Sequence, residues 1–271
     1  MAEKKDLINV RKIIADKNPK LLDQLPGFVI KYLERILHQD EINGLIDDNS
    51  DKTNLDFCEA VIKHFQMTVE ARGIENIPKT GGAVLASNHP LGGMDAMALG
   101  ALLKPYDWKL KFVANDILMN IENLKDMFIG INKHGVNAKE ALRDFNDQFT
   151  KDQLICIFPA GLVSRRSGGK VKDLIWKKTF ITRSKKHQKL IVPTYVDGKL
   201  SNFFYNLANL RKFTGMKANI EMLYLADEMM KLKGKKVTIT FGKPIDPAIF
   251  DRSKNDRDWA EFVKEKVYEL A

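Results

Sequence analysis

One histidine and one aspartate in this chain stand where a base and its partner would. They occur in Ser87-Asn88-His89-Pro90-Leu91-Gly92-Gly93-Met94-Asp95. A carboxylate a few residues after an imidazole can accept a hydrogen bond from one ring nitrogen. That fixes the tautomer and leaves the other nitrogen free to take a proton. If the substrate brings its own hydroxyl, no Ser or Cys nucleophile is required. A positioned base of this kind is worth roughly 10²–10⁴-fold in rate. The competing reading is a structural pair with no chemistry, which a His and an Asp close in sequence often form.

A second cluster is Phe158-Pro159-Ala160-Gly161-Leu162-Val163-Ser164-Arg165-Arg166. A Pro-x-Gly turn at a strand end turns backbone N–H groups outward, where they bind anions. Ser164 and Arg165 add a hydroxyl and a guanidinium, a match for phosphate or carboxylate. The alternative is an ordinary turn carrying an exposed basic pair.

Other chemistries lack their residues. Cys58 and Cys156 are the only cysteines, far apart and outside any CxxC, so neither a disulfide framework nor a cysteine-based zinc site is expected. No His, Asp and Glu set has ligand spacing such as HExxH, and no metal is expected. His134 reads as a loop residue; His38, His64 and His187 read as surface or helix-face residues.

Both clusters follow short apolar runs. Residues 83–87 and 154–158 read as buried strands, and α/β sheets hold ligands outside the carboxyl ends of such strands. Further strands are expected at 67–72, 111–114, 190–196 and 237–241, with helical patterns at 94–103, 138–149 and 171–186. Residues 256–270 read as an amphipathic terminal helix. Residues 1–66 are helical in pattern: Val29, Ile30, Leu33, Ile36 and Leu37 form one stripe, and Leu55, Cys58, Val61, Ile62 and Phe65 another. Pro26-Gly27 marks a break, and 47–51 a loop. Alternating strands and helices imply an α/β fold. The aromatic stretch 202–207 either lines a groove for an apolar ligand or packs in a core.

The 271 residues carry a formal charge of +9. Residues 165–189 hold ten Lys and Arg against the single acid Asp173, enough to account for the whole excess. Such a block attracts phosphates, anionic lipid, nucleic acid or an acidic carrier protein, or is simply a solvated face. At about 1 kcal/mol per basic residue near anionic lipid, four contacts suffice for reversible binding. In 171–186, Leu174, Ile175, Trp176, Phe180 and Ile181 are expected mainly to pack on the sheet. The N-terminus has charge without an apolar stretch behind it, so no signal peptide is expected. No run of about 18 apolar residues occurs, so neither is a transmembrane helix.

Taken in order, the clusters resemble the glycerolipid acyltransferases, which acylate glycerol phosphate and lysophosphatidic acid. That family's Asn-His-x4-Asp, Phe-Pro-Glu-Gly-x-x-Ser-Arg and Val-Pro motifs are matched by Asn88-His89…Asp95, by 158–165 and by Val192-Pro193. Its Gly-then-Arg motif is echoed by Gly130…Lys133. The resemblance spans about residues 67–245, and its specificity lies in the order of the motifs. Three positions depart from the pattern. Five residues separate His89 from Asp95, and the extra glycine is expected to absorb the shift. Ala160 stands where the family has Glu. Lys133 stands near the place of an Arg, and a point charge cannot copy a bidentate fork. These departures are similar to a haemolysin-named subgroup and to enzymes that O-acylate lyso-ornithine or lyso-glycine lipids.

The resemblance implies a glycerolipid-acyltransferase-like α/β fold, a mixed sheet flanked by helices. Residues 1–66 would be a helical extension and 67–271 the acyltransferase domain. It implies transfer of a fatty acyl chain from a thioester, on acyl-carrier protein or acyl-CoA, to a lyso-lipid hydroxyl. The acceptor is a lyso-aminolipid or lysophosphatidic acid. His89 would be the base and Asp95 its support, with Asn88, Lys133, Gly161, Ser164 and Arg165 binding substrate. The carrier is a co-substrate, and no cofactor is implied. The expected setting is cytoplasmic, peripheral on the inner face of an anionic membrane, without nucleic acid. Two rivals remain. One is a serine hydrolase using Ser87 or Ser164, which lacks the G-x-S-x-G elbow. The other is a non-catalytic basic module for lipid or nucleic acid, in which only Trp176 and Phe180 interleave with the charges.

Overall fold

The computed structural model describes residues 8–106, 108–114, 121–130 and 138–271, without the side chains of Lys17 and 138–142. Lys133 and His134 lie outside the described residues. The chain divides into two units, one of residues 1–52 and 200–233, the other of 53–199 and 234–271.

The first unit is helical. It contains α1 (Val10–Lys17), α2 (Pro19–Gln24), α3 (Gly27–Ile36) and α4 (Gln39–Asp47), joined by α9 (Asn202–Phe213) and α10 (Leu225–Met230). The chain breaks where turn chemistry demands. Asn18 caps α2, with Pro19 in its first turn, and Pro26 precedes α3. In the aromatic stretch, Phe204 and Tyr205 are buried and Phe203 is exposed. Ser201 caps α9 and donates its hydroxyl to the buried Glu228 at 2.6 Å.

The second unit carries α5 (Asn54–His64), β1 (Thr68–Arg72), β2 (Ala83–Ser87), α6 (Gly93–Leu103), β3 (Leu110–Ala114), β4 (Phe128–Gly130), α7 (Ala138–Gln148), β5 (Leu154–Ile157), β6 (Arg165–Ser167), β7 (Lys170–Lys172), α8 (Thr179–His187), β8 (Leu190–Asp197), β9 (Lys236–Phe241) and α11 (Asp256–Tyr268). Seven strands form one sheet in the order β1-β9-β8-β2-β5-β3-β4. Every neighbouring pair is parallel except β8 and β9. The sheet is therefore mixed and flanked by helices, as expected. The central strand β2 is buried along its whole length, as its unbroken apolar run requires. Trp176, Phe180 and Ile181 join Trp259, Val263 and Val267 in the core against this sheet.

Two local expectations change. The boundary drawn at residue 66 does not coincide with the division of contacts, because α5 packs on α6. A Cβ on Gly100 would lie 2.5 Å from the Cys58 sulfur, so the helices meet through a glycine. The helical pattern over 171–186 is helical only from Thr179. Residues 165–172 instead form a hairpin turning at Gly168-Gly169, both at positive φ. That backbone suits a tight two-residue turn and is accessible to glycine without strain. Among the described residues no helix is long and apolar enough to cross a membrane.

Candidate active site

The sheet register brings the two clusters together. Ala86 on β2 pairs with Ile157 on β5, and Ser87 pairs with Thr194 on β8. His89 and Phe158 therefore emerge side by side at adjacent strand ends, and their rings stack with centroids 4.2 Å apart. Asn88 locks the other side: its amide nitrogen donates to the Val196 carbonyl at 2.9 Å, and its oxygen accepts from the Val196 N–H at 2.7 Å. The side chain is buried and committed to β8, so it fixes the strand end that carries His89.

His89 Nδ1 lies 2.8 Å from Asp95 Oδ2. The imidazole is 17% exposed and the carboxylate 0%. Gly92, at φ +66°, reverses the chain just before α6 and takes up the extra residue between them. Asp95 falls in the first turn of α6, where a carboxylate meets the positive end of the helix. It also accepts from the Leu91 N–H, at 3.0 Å for Oδ2. Burial pushes the Asp95 carboxyl above the usual range, against the pull of His89 and the Leu91 N–H. With Asp95 ionised, Nδ1–H is the donor and Nε2 the basic atom. Among the described residues Nε2 has no hydrogen-bond partner.

The second cluster docks under the first. The Ser164 N–H donates to the His89 carbonyl at 2.9 Å. The Ser164 hydroxyl is buried and donates to Asp173 Oδ1 at 2.5 Å. Asp173 Oδ1 also accepts from the His89 N–H at 3.2 Å, and Oδ2 from Trp176 Nε1–H at 2.8 Å. The Asp173 N–H donates to the Tyr268 hydroxyl at 2.7 Å, joining α11 to the same network. Burial and the charge of Asp173 hold the Tyr268 phenol well above its ordinary range, so it stays protonated. Asp173 was visible in the sequence only as the lone acid of a basic segment. The signal for it is the inward pattern Asp173…Trp176 around two exposed residues.

The remaining expected residues bond within their own loop. Gly161 adopts φ +66°, and its N–H closes a turn onto the Phe158 carbonyl at 2.9 Å, so that N–H is occupied. Arg165 begins β6, half-buried, with its guanidinium on the Val163 carbonyl. Neither serine of the hydrolase reading faces the imidazole: Ser87 is buried and donates to the Asn88 carbonyl at 2.9 Å, and Ser164 serves Asp173. Among the described residues no group of three or more His, Cys, Asp or Glu side chains is placed to hold a metal ion.

Known proteins resemble the chain along nearly its whole length. The chain is 48% identical over 265 residues to a lyso-glycine lipid O-acyltransferase from Bacteroides thetaiotaomicron, covering 97% of each chain. It is 46% identical to one of the same name from Phocaeicola vulgatus, over 97% of this chain and 95% of that one. Among solved structures, a 1-acyl-sn-glycerophosphate acyltransferase from Thermotoga maritima is 21% identical with a TM-score of 0.46, covering 96% of this chain and 97% of that one. A family model described as "Acyltransferase" matches residues 12–271, and with nearly the whole length matched the chain belongs to the acyltransferase family.

Proposed function

We propose that this acyltransferase esterifies the hydroxyl of a lyso-lipid, a lyso-glycine lipid or a close aminolipid, with His89 as general base. The observation that carries the chemistry is the His89–Asp95 hydrogen bond at a strand end with Nε2 left free. The lyso-glycine lipid that names both relatives carries the acceptor class.

Nε2 of His89 takes the proton of the acceptor hydroxyl as its oxygen attacks the thioester carbonyl. Asp95 supports the imidazolium that forms. Backbone N–H groups stabilise the tetrahedral oxyanion, as acyl transfer requires. Collapse of that intermediate breaks the C–S bond. The departing thiolate recovers the proton from His89, leaving an ester and a free thiol on the carrier. Arg165, aided by Lys133, holds the acidic head of the acceptor. Asn88, Gly161 and Ser164 shape the loops from behind. The thioester arrives on acyl-carrier protein or acyl-CoA, and the basic segment 165–189 rests on the anionic inner face of the membrane.

The test is transfer of labelled acyl chains from each donor to lyso-glycine lipid by the purified protein. The expected result is an O-acylated product that His89→Ala abolishes. Full transfer by His89→Ala would overturn the base assignment. Absence of transfer to lyso-glycine lipid, with transfer to lysophosphatidic acid, would overturn the acceptor.

A further inference from the structure

The segment between β7 and α8 alternates buried and exposed residues in a way that core packing does not explain. Asp173 and Trp176 point inward and bond each other. Between them Leu174 is 42% exposed and Ile175 84% exposed. These two were expected in the core; the inward Asp173 and Trp176 turn them outward instead. The tip is anchored at both ends. On one side Asp173 is tied to Ser164, the His89 N–H and Tyr268. On the other the Lys177 N–H donates to the Pro159 carbonyl at 3.0 Å.

Exposed lysines frame the tip. Lys170 and Lys172 on β7 precede it, and Lys177 and Lys178 follow it. Among the described residues none of the four has an acidic partner, and Lys172 lies over the Tyr268 ring at 5.1 Å. Asp173, the acid in this run, is buried and engaged.

We propose that Leu174 and Ile175 form a membrane-inserting tip that docks the chain on an anionic lipid bilayer next to His89. This rests on the lyso-lipid reading above only for its purpose. Two aliphatic side chains at one turn present too little area for a stable protein partner, which needs on the order of 800 Å² a side. Lipid tails need no complementary shape and surround each side chain, while the lysines meet the headgroups. Because Asp173 bonds the His89 N–H, the tip and the base belong to one pinned loop system. Insertion therefore sets His89 at the level of the headgroups, where a lyso-lipid presents its hydroxyl.

The experiment uses the full chain with Ile175→Cys labelled by an environment-sensitive dye. Cys58 and Cys156 are buried, and burial pushes the Cys58 thiol up to about 12, so they compete poorly for label. Vesicles of phosphatidylcholine and phosphatidylglycerol in equal parts should shift the dye to an apolar signal. A dye on Arg257→Cys, on the exposed side of α11, should not shift. Unlabelled Ile175→Ser should bind the same vesicles about tenfold more weakly or worse, from loss of one buried aliphatic side chain. No dye shift, or a shift with acyl-carrier protein and none with vesicles, overturns the proposal. Thermal melting of each variant checks that it is folded. Failure of the wild-type protein to transfer acyl groups, with the dye shift intact, would overturn the enzymatic reading and leave the tip standing.

Discussion

Five residues separate His89 from Asp95 in the chain, yet Nδ1 and Oδ2 are 2.8 Å apart. The bend at Gly92 makes this possible, and the Leu91 N–H holds the carboxylate from the other side. A base held in this way loses its function when either partner changes. His89→Ala should lower the transfer rate by about 10²–10⁴-fold. Asp95→Asn should lower it comparably by disturbing the tautomer, with little change in apparent affinity for the acceptor. Steady-state rates with each donor check both.

Asp95 also ties activity to stability. Its folded pKa is raised, with burial the largest cause. A carboxyl with a raised folded pKa contributes stability that is complete below its unfolded pKa and is lost as pH rises through the folded value. Asp95→Asn removes that loss. The variant's melting temperature, relative to the parent's, should therefore shift in its favour as pH is raised from about 4 to about 7. Melting curves across that range test the sign, and a constant difference would contradict it.

Asp173 should matter as much as the pair it supports. It receives three donors at its carboxylate: the Ser164 hydroxyl, the His89 N–H and Trp176 Nε1–H. Asn in its place turns one acceptor into a donor and leaves at least one of the three facing it unpaired. The expected cost is about 1–3 kcal/mol in urea unfolding. The rate should fall too, because the His89 backbone is among the bonded groups. Trp176→Phe removes a donor without touching the His89 contact, so its rate loss should be the smaller one. Equal rate losses would mean that Asp173 acts through stability alone.

The sequence announces what is local and periodic. The apolar runs of β2, β5 and β8 are buried as read, and the clusters that follow β2 and β5 meet because adjacent strands end together. The hairpin of β6 and β7 overlaps the helical pattern read over 171–186 only at Val171 and Lys172, and its turn at Gly168-Gly169 lies before that pattern. Asp173 was hidden for a different reason. Its partners Ser164 and Tyr268 lie 9 and 95 residues away, and their meeting is a property of the tertiary fold. The joining of 200–233 to the N-terminal helices is equally non-local, since no periodicity in either segment names the other. Hydropathy alone would bury Ile175 before Trp176, yet Trp176 is the buried one, with its indole N–H bonded to Asp173.

Gly198 gives the sharpest test of the loop behind the base. It follows β8, and a Cβ there would lie 2.8–2.9 Å from three atoms of the buried Leu91 side chain. Leu91 cannot retreat freely, because its own N–H bonds Asp95. Gly198→Ala should thus cost about 1–3 kcal/mol by overpacking. It should also slow transfer by more than that loss of folded protein explains, since a displacement of even 1 Å near a reacting group costs about 10²-fold. Gly44→Ala in α4, where nothing lies within 4 Å, is the control and should be neutral or slightly stabilising. Trimming the obstacle with Leu91→Val in the Gly198→Ala background should restore part of the rate. If the double variant is no faster than the single one, Leu91 is not the route by which Gly198 reaches Asp95.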